Sequence, residues 1–477
     1  MIPDFSPDRF ARTLERVGAM AVAYLRDLPR REAFRRPPDE VVRRFEAAAL
    51  PARGVPADTI LADLERDVLP YSLGIGHPRW WGYLRASPSP MGMAADLLAA
   101  TMNNNCSGSA QIATYVEMTV VRWLAELVGY ARDAGGILLS GGSAANFVAL
   151  AAMREARLPG TRQHGLRGLD RAPVVYVTAE THSCIRRAVD LLGLGGEALR
   201  LLPTDRGLRM DAPALAAAVR EDERAGRLPL AVVATAGTVN TGAVDPLAAI
   251  RDVARAHGLW FHVDGAYGAV GAALPELAAD YEGMADADSL VVDPHKWLYV
   301  PYEAGGVLVR DRNALTRAFA TKADYLEVAD TDYFSGPLWF HQQGPQLSRA
   351  FRALKVWAVM REIGLEGYRE LWRHDLATAA ELRRQVTAHP RLELVGPSGL
   401  GVVCFRHIPR SGDANELNRR LVDRIQQDGR IFVSATTVGG VACLRAAILN
   451  FRSGPDDARR AVEVVAELAG ALEGTDL

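Results

Sequence analysis

The chain has 477 residues, 49% of them hydrophobic, and a formal net charge of -2. That length buries a large core with room for two or three domains, and the balanced charge leaves no footprint for nucleic acid or an anionic membrane surface. No apolar run is long enough to span a bilayer, and Met1 to Phe10 lacks a basic stretch followed by an apolar one, so a small-molecule partner and a cytoplasmic location are expected.

Ser6, Pro7 and Asp8 make a helix-start signal, and Phe10, Leu14, Val17, Ala21 and Tyr24 recur behind it at helical spacing, which predicts an opening amphipathic helix. Pro37, Pro38 and Pro51 cut the rest of residues 1–90 into helical pieces too small to hold a core of their own. Their apolar stripes must lie on something else, and a partner subunit is one candidate. From 91 to 360 short β-branched runs alternate with alanine-rich stretches, the pattern of an α/β fold with a mostly parallel sheet and helices on both faces. The clearest strands are Val174–Val177, Ala231–Ala234, Trp260–Val263, Leu290–Val292 and Gly306–Val309. Between Phe319 and Gln346 the chain turns aromatic, acidic and irregular, which reads as a long functional loop. A helix is expected from Leu347 to Ile363, ending at Gly364. Residues 361–477 then mix a strand at Leu400–Phe405 with helices at Asn415–Gln427 and Asp456–Leu472, a small α+β domain. Cys106, Cys184, Cys404 and Cys443 lie far apart in no metal-ligating pattern; no metal site is expected, and Cys106 and Cys184 read as small buried hydrophobes.

Of 55 basic residues only three are lysines, Lys296, Lys322 and Lys355. Arginine serves wherever a surface charge is enough, but it neither gives up its proton nor forms a Schiff base with an aldehyde. A lysine kept at the end of an apolar strand, in Asp293-Pro-His-Lys296, is therefore suspect, and Asp264 ends the strand before it. An amine and a carboxylate at neighbouring strand ends suggest pyridoxal phosphate, whose ring nitrogen needs an acid and whose aldehyde needs an amine. Desolvation and nearby cations are expected to lower the Lys296 pKa. Lys355, in a helical run, reads as a solvated charge, and Lys322 has no strand to hold it. The Gly-rich turn Ser140-Gly-Gly-Ser-Ala144 leads into a helix, and the amides of Gly142, Ser143 and Ala144 could cradle a phosphate. His182 follows a strand and could lie flat on the ring, Ala266 could offer a methyl to its other face, and Thr238 could bond near it. A histidine satisfied in core or surface is the plain alternative for His182.

These segments together resemble the group II pyridoxal-phosphate decarboxylases. The likeness runs through Gly76-His-Pro-Arg-Trp-Trp81, Ser140-Gly-Gly-Ser-Ala-Ala-Asn146, Thr181-His-Ser183, Thr235 to Pro246, His262-Val-Asp-Gly-Ala-Tyr267, Asp293-Pro-His-Lys-Trp297 and Leu444 to Arg452. The resemblance implies a fold-type I homodimer whose N-terminal helices pack on the partner and whose active site lies at the interface. It implies that His182 stacks on the cofactor, Asp264 pairs with its nitrogen and Lys296 holds it. Thr238, Asp293 and His295 would support nitrogen, phosphate or lysine, and Tyr325 would be the tyrosine of a mobile catalytic loop. Animal aromatic decarboxylases usually carry asparagine where this chain has Asp293, and a carboxylate there would repel a phosphate.

For the substrate, Trp81 and Tyr83 suit an aromatic-lined pocket, whereas Arg85 would pair with a side-chain carboxylate unless it is a solvated rim charge. An aromatic amino acid such as tyrosine, tryptophan or dihydroxyphenylalanine is expected first, and glutamate, aspartate or cysteine sulfinate second. A non-catalytic cofactor-binding regulator is a third reading; it would need a DNA-binding domain, for which residues 1–90 show no signature.

Overall fold

The computed structural model describes residues 6–321 and 333–474. Its centre is a seven-stranded sheet of β1 (Gly135–Leu139), β2 (Pro173–Thr178), β3 (Leu199–Leu202), β4 (Leu228–Thr235), β5 (Trp260–Asp264), β6 (Ser289–Val292) and β7 (Gly305–Val309), in the order β1-β7-β6-β5-β4-β2-β3. β7 runs antiparallel to both β1 and β6, and every other neighbouring pair is parallel. The mostly parallel α/β expectation holds.

The strands read as continuous apolar runs because both faces of the sheet are covered. Along β2, Val174 and Tyr176 join one core, while Val175 and Val177 join another that includes residues of the helices Gly142–Arg157 and Ser183–Leu191. A second sheet follows, β8 (Leu392–Leu394), β9 (Val402–His407), β10 (Ser434–Val438) and β11 (Val441–Ala447), antiparallel throughout in the order β10-β11-β9-β8. The helices Ala414–Asp428 and Pro455–Gly474 share its core.

Ser6 caps the opening helix Pro7–Asp27 by accepting the Arg9 amide at 3.3 Å, as its sequence predicts. None of that helix's residues is buried. The helix expected from Leu347 begins instead at Arg352. Upstream, the Arg349 amide donates to Asn105 Oδ1 at 2.9 Å and its carbonyl accepts the Cys106 amide at 2.9 Å, so its backbone is committed to a neighbouring segment rather than to a helical turn. Its guanidinium is buried against the Glu117 carboxylate and the Cys106 and Leu138 carbonyls. The expected stop is present: the helical stretch Arg352–Ala388 is broken at Gly364, where φ is 65°. Lys355 is a correction. Rather than being solvated it is buried, donating to Asp96 Oδ2 at 3.0 Å and the Tyr302 carbonyl at 2.9 Å.

Candidate active site

Because β7 alone runs the other way, the carboxyl ends of β1, β2, β4, β5 and β6 meet at one edge of the sheet, where open α/β folds bind ligands. A cavity of about 460 Å³ opens there. Lys296 enters from the turn after β6, with its side chain 20% exposed and Nζ 3.1 Å from Asp293 Oδ2. Burial works against the ammonium, but Asp293 and Asp264 outweigh it and hold the Lys296 pKa above its ordinary value. The expected lowering is thus corrected, since the groups facing this amine are carboxylates. His295 Nδ1 accepts the Ala304 amide at 3.1 Å, and Nε2 lies 3.6 Å from Asp293 Oδ2. Burial lowers the His295 pKa despite that carboxylate.

Asp264 sits at the end of β5, with Oδ1 accepting the Ala266 amide at 3.2 Å and Oδ2 accepting Asn146 Nδ2 at 3.2 Å. His182 is the N-cap of the helix Ser183–Leu191, and its Nδ1 accepts the Cys184 amide at 3.2 Å. That bond leaves the remaining proton of a neutral ring on Nε2, and burial favours the neutral ring by lowering the pKa. The Gly-rich turn leads into a helix, as its sequence predicts. The helix Gly142–Arg157 starts at the cavity with no side chain capping it, so its first amides and its dipole face the space. A Cβ on Gly142 would come within 2.8 Å of Asp293 Oδ2, so only glycine brings this turn so close to Asp293.

Gly142, Ser143, Ala144, His182, Asp264, Ala266, Asp293, His295 and Lys296 all reach the cavity wall, and so does Arg85. Three predicted contacts do not. Thr238 turns its hydroxyl to Thr241 Oγ1 at 3.0 Å and to the Ala243 amide at 3.1 Å, and Gly237 and Val239 line the wall on either side of it. Trp81 is fully buried in the core of the second sheet, its indole donating to Ser453 Oγ at 2.9 Å. Tyr83 is 49% exposed, its ring under the Arg85 guanidinium. Tyr325 lies outside the described residues. Residues the sequence reading passed over also line the wall, among them Leu84, Asn146, Glu180 and Tyr302. Glu180 is held by Asn240 Nδ2 at 3.0 Å, whose Oδ1 accepts Thr436 Oγ1 at 2.7 Å, tying the wall to β10. Asn146 stood in a quoted motif, and its place just after the glycine turn was the available signal.

An amine held by one carboxylate, a second carboxylate on the same cavity wall, an uncapped helix start and an imidazole fit pyridoxal phosphate. Residues 38–408 match the model of the pyridoxal-dependent decarboxylase conserved domain. The chain belongs to the pyridoxal-dependent decarboxylases. It is 32% identical over 420 residues to an aromatic-L-amino-acid decarboxylase of Bacillus atrophaeus, covering 87% of this chain and 86% of that protein. To an L-2,4-diaminobutyrate decarboxylase of Rhizobium meliloti it is 33% identical over 430 residues, with 89% and 84% covered. The crystal structure of Oryza sativa TDC with PLP and tryptamine superposes with a TM-score of 0.91 at 28% identity, over 99% of this chain and 100% of that one. This decarboxylase is therefore a pyridoxal-phosphate-dependent carboxy-lyase of fold-type I that acts on an amino acid, and the reading as a non-catalytic regulator falls.

Proposed function

We propose that the protein decarboxylates an aromatic L-amino acid to its amine, with Lys296 as the residue that carries the cofactor. The observation behind the assignment of the amine is the convergence of Lys296, Asp293, Asp264 and His182 on one cavity wall at the sheet's carboxyl edge. Asp264 would meet the ring nitrogen, His182 one ring face and the Ala266 methyl the other, and the amides of Gly142, Ser143 and Ala144 the phosphate. When bound, pyridoxal phosphate supplies the electron sink that makes loss of carbon dioxide from an amino acid feasible. Asp293 and His295 would position Lys296 rather than the phosphate, Asp293 holding the ammonium at Nζ whenever that amine is free of the cofactor. Tyr325 would keep the role the resemblance implies, the tyrosine of the catalytic loop, which excludes water while a proton reaches the substrate's α-carbon.

The aromatic preference is supported by likeness to relatives named for aromatic substrates. A second reading, an acidic amino acid, is favoured by Arg85, which reaches the cavity with no carboxylate paired to it among the described residues. The second reading makes Arg85 the partner of the substrate's side-chain carboxylate. Carbon dioxide release from a panel of amino acids separates them. Turnover of tyrosine, tryptophan or dihydroxyphenylalanine is expected, and turnover confined to acidic substrates would replace the first reading with the second.

We also propose a homodimer, with a second copy covering the Pro7–Asp27 helix and neighbouring apolar surface.

A further inference from the structure

From Asn146 on the cavity wall beside Asp264, a chain of buried hydrogen bonds runs back into the protein that the family's reaction does not by itself require. Trp260 Nε1 donates to Ser289 Oγ at 2.8 Å; Ser289 Oγ lies 2.8 Å from His262 Nδ1; His262 Nε2 lies 2.7 Å from Asn146 Oδ1; and Asn146 Nδ2 donates to Asp264 Oδ2 at 3.2 Å. His262, Ser289 and Asn146 are wholly buried. The strands bring them together: side chains two apart share a face, so His262 lies on the same side of β5 as Asp264, and Ser289 is the register partner of His262 on β6.

The two ends fix the direction of every proton between them. An indole nitrogen can only donate, so Ser289 Oγ accepts from Trp260 and has its own hydrogen to give to His262 Nδ1. Burial pushes the His262 pKa down to about 4, against the pull of Asp264, so the ring is neutral and carries its one hydrogen on Nε2. That hydrogen goes to Asn146 Oδ1, which turns the amide nitrogen to Asp264. The second amide hydrogen is used as well, on Cys184 Sγ at 3.3 Å. With the Ala266 amide on Oδ1, each oxygen of Asp264 already receives a donor from the protein.

We infer that Asn146, His262, Ser289 and Trp260 are a one-directional relay of positioning residues that presents Asp264 to the cofactor's ring nitrogen as an acceptor on both oxygens. The relay keeps the shared proton on the ring rather than on the carboxyl group. Reversing either link of His262, to Ser289 or to Asn146, would turn Asn146 Oδ1 toward Asp264 and force that carboxyl group to hold a proton itself. The inference rests on the reading that Asp264 meets the ring nitrogen, so the experiment tests the two separately.

The readouts are the NMR shift of an isotopically labelled ring nitrogen in pyridoxal phosphate bound to the holoenzyme, which reports whether that atom is protonated, and the cofactor's dissociation constant. Asp264→Asn is expected to move the shift toward the unprotonated value; no movement would overturn the placement of Asp264, and the relay with it. Given that movement, Ser289→Ala and His262→Phe are expected to shift the resonance the same way and to weaken cofactor binding ~10-fold, the equivalent of one pKa unit. His262→Gln, whose amide can accept from Ser289 and donate to Asn146, is expected to restore part of both. An unchanged resonance and affinity in Ser289→Ala and His262→Phe, even with a lowered melting temperature, would reduce these residues to packing and overturn the relay. Should His262→Phe fail to fold, Ser289→Ala, which removes a single oxygen, decides the question.

Discussion

Lys296 is an ammonium faced by Asp293 at 3.1 Å and influenced by Asp264, and it holds its proton more tightly than a free lysine does. An amine must be neutral to attack an aldehyde, so Asp293 sets a cost on loading the cofactor while fixing where the nitrogen stands. Removing the Asp293 charge therefore lowers the Lys296 pKa and enlarges the neutral fraction near neutral pH. Apoprotein carrying Asp293→Asn is expected to capture pyridoxal phosphate faster at pH 8, by on the order of tenfold for each pKa unit lost. Borohydride trapping at timed intervals, with the added mass located on the peptide that contains Lys296, measures the rate. Slower capture than in the wild type would mean that Asp293 assists the attack rather than restraining it. At this scale the sequence was most informative. Lys296, Asp264, His182 and Gly142 stood at strand ends and turns whose chemistry is local, and all reach one cavity. Trp81 and Thr238 misled because nothing in a sequence says where a side chain points once its segment bends: Trp81 dives into the second core and Thr238 closes its own turn.

The turn that carries Lys296 is held in place by the helical stretch after the Gly364 break. Trp372 Nε1 donates to the Trp297 carbonyl at 2.8 Å, Tyr368 to the Leu298 carbonyl at 3.1 Å, and Asp375 Oδ2 accepts both Trp297 Nε1 at 2.8 Å and the Tyr299 hydroxyl at 2.6 Å. All three of these helix side chains are buried. Burial raises the Asp375 pKa from 3.8 to about 7, partly offset by the hydrogen bonds from Tyr299, Trp297 and the Asn450 amide. A carboxyl group whose folded pKa is raised stabilises the fold fully below its unfolded pKa, and that contribution is lost as the pH climbs through the folded value. Between pH 3.8 and about 7, stability from this group is expected to fall by about 1.4 kcal/mol per pH unit and then level off. Denaturant unfolding of the wild type against Asp375→Asn across that window checks it: the variant's curve should lack this slope, and parallel curves would remove Asp375 from the pH dependence. Element boundaries were legible where one signal dominated, as at the Ser6 cap, the β-branched strands and Gly364. They were not where long-range pairing decides. Leu199–Leu202 is a strand only because β2 lies beside it, and β10 and β11 were missed although Gly439 and Gly440 mark the hairpin turn between them. The start at Arg352 depends on Asn105 and Cys106, far away in sequence.

For the whole molecule, the unsatisfied element is the opening helix. It carries an apolar stripe, yet Phe10 is 48% and Val17 40% exposed, and none of its residues is buried. The helices Pro90–Met102 and Ile112–Leu127 add Leu98 at 58% and Ile112 at 65% exposure. An amphipathic helix whose apolar face is only partly covered among the described residues gains little from tertiary packing, and exposed apolar surface of this extent marks an interaction face. Tyr302 and Glu303 line both the cavity and the recess beside Pro90–Met102, so a second copy seated on that helix would stand at the cavity mouth. Two-fold symmetry would use the same surface twice, so one charged substitution enters the interface two times over. Sedimentation of the wild type is expected to give a dimer. The double substitution Leu98→Glu and Ile112→Glu, at positions already open to solvent in the single chain, is expected to give a monomer with unchanged far-ultraviolet circular dichroism and most of its carbon dioxide release lost. A fully active monomer would mean that each chain completes its own site, and the exposed stripes would then need a different occupant.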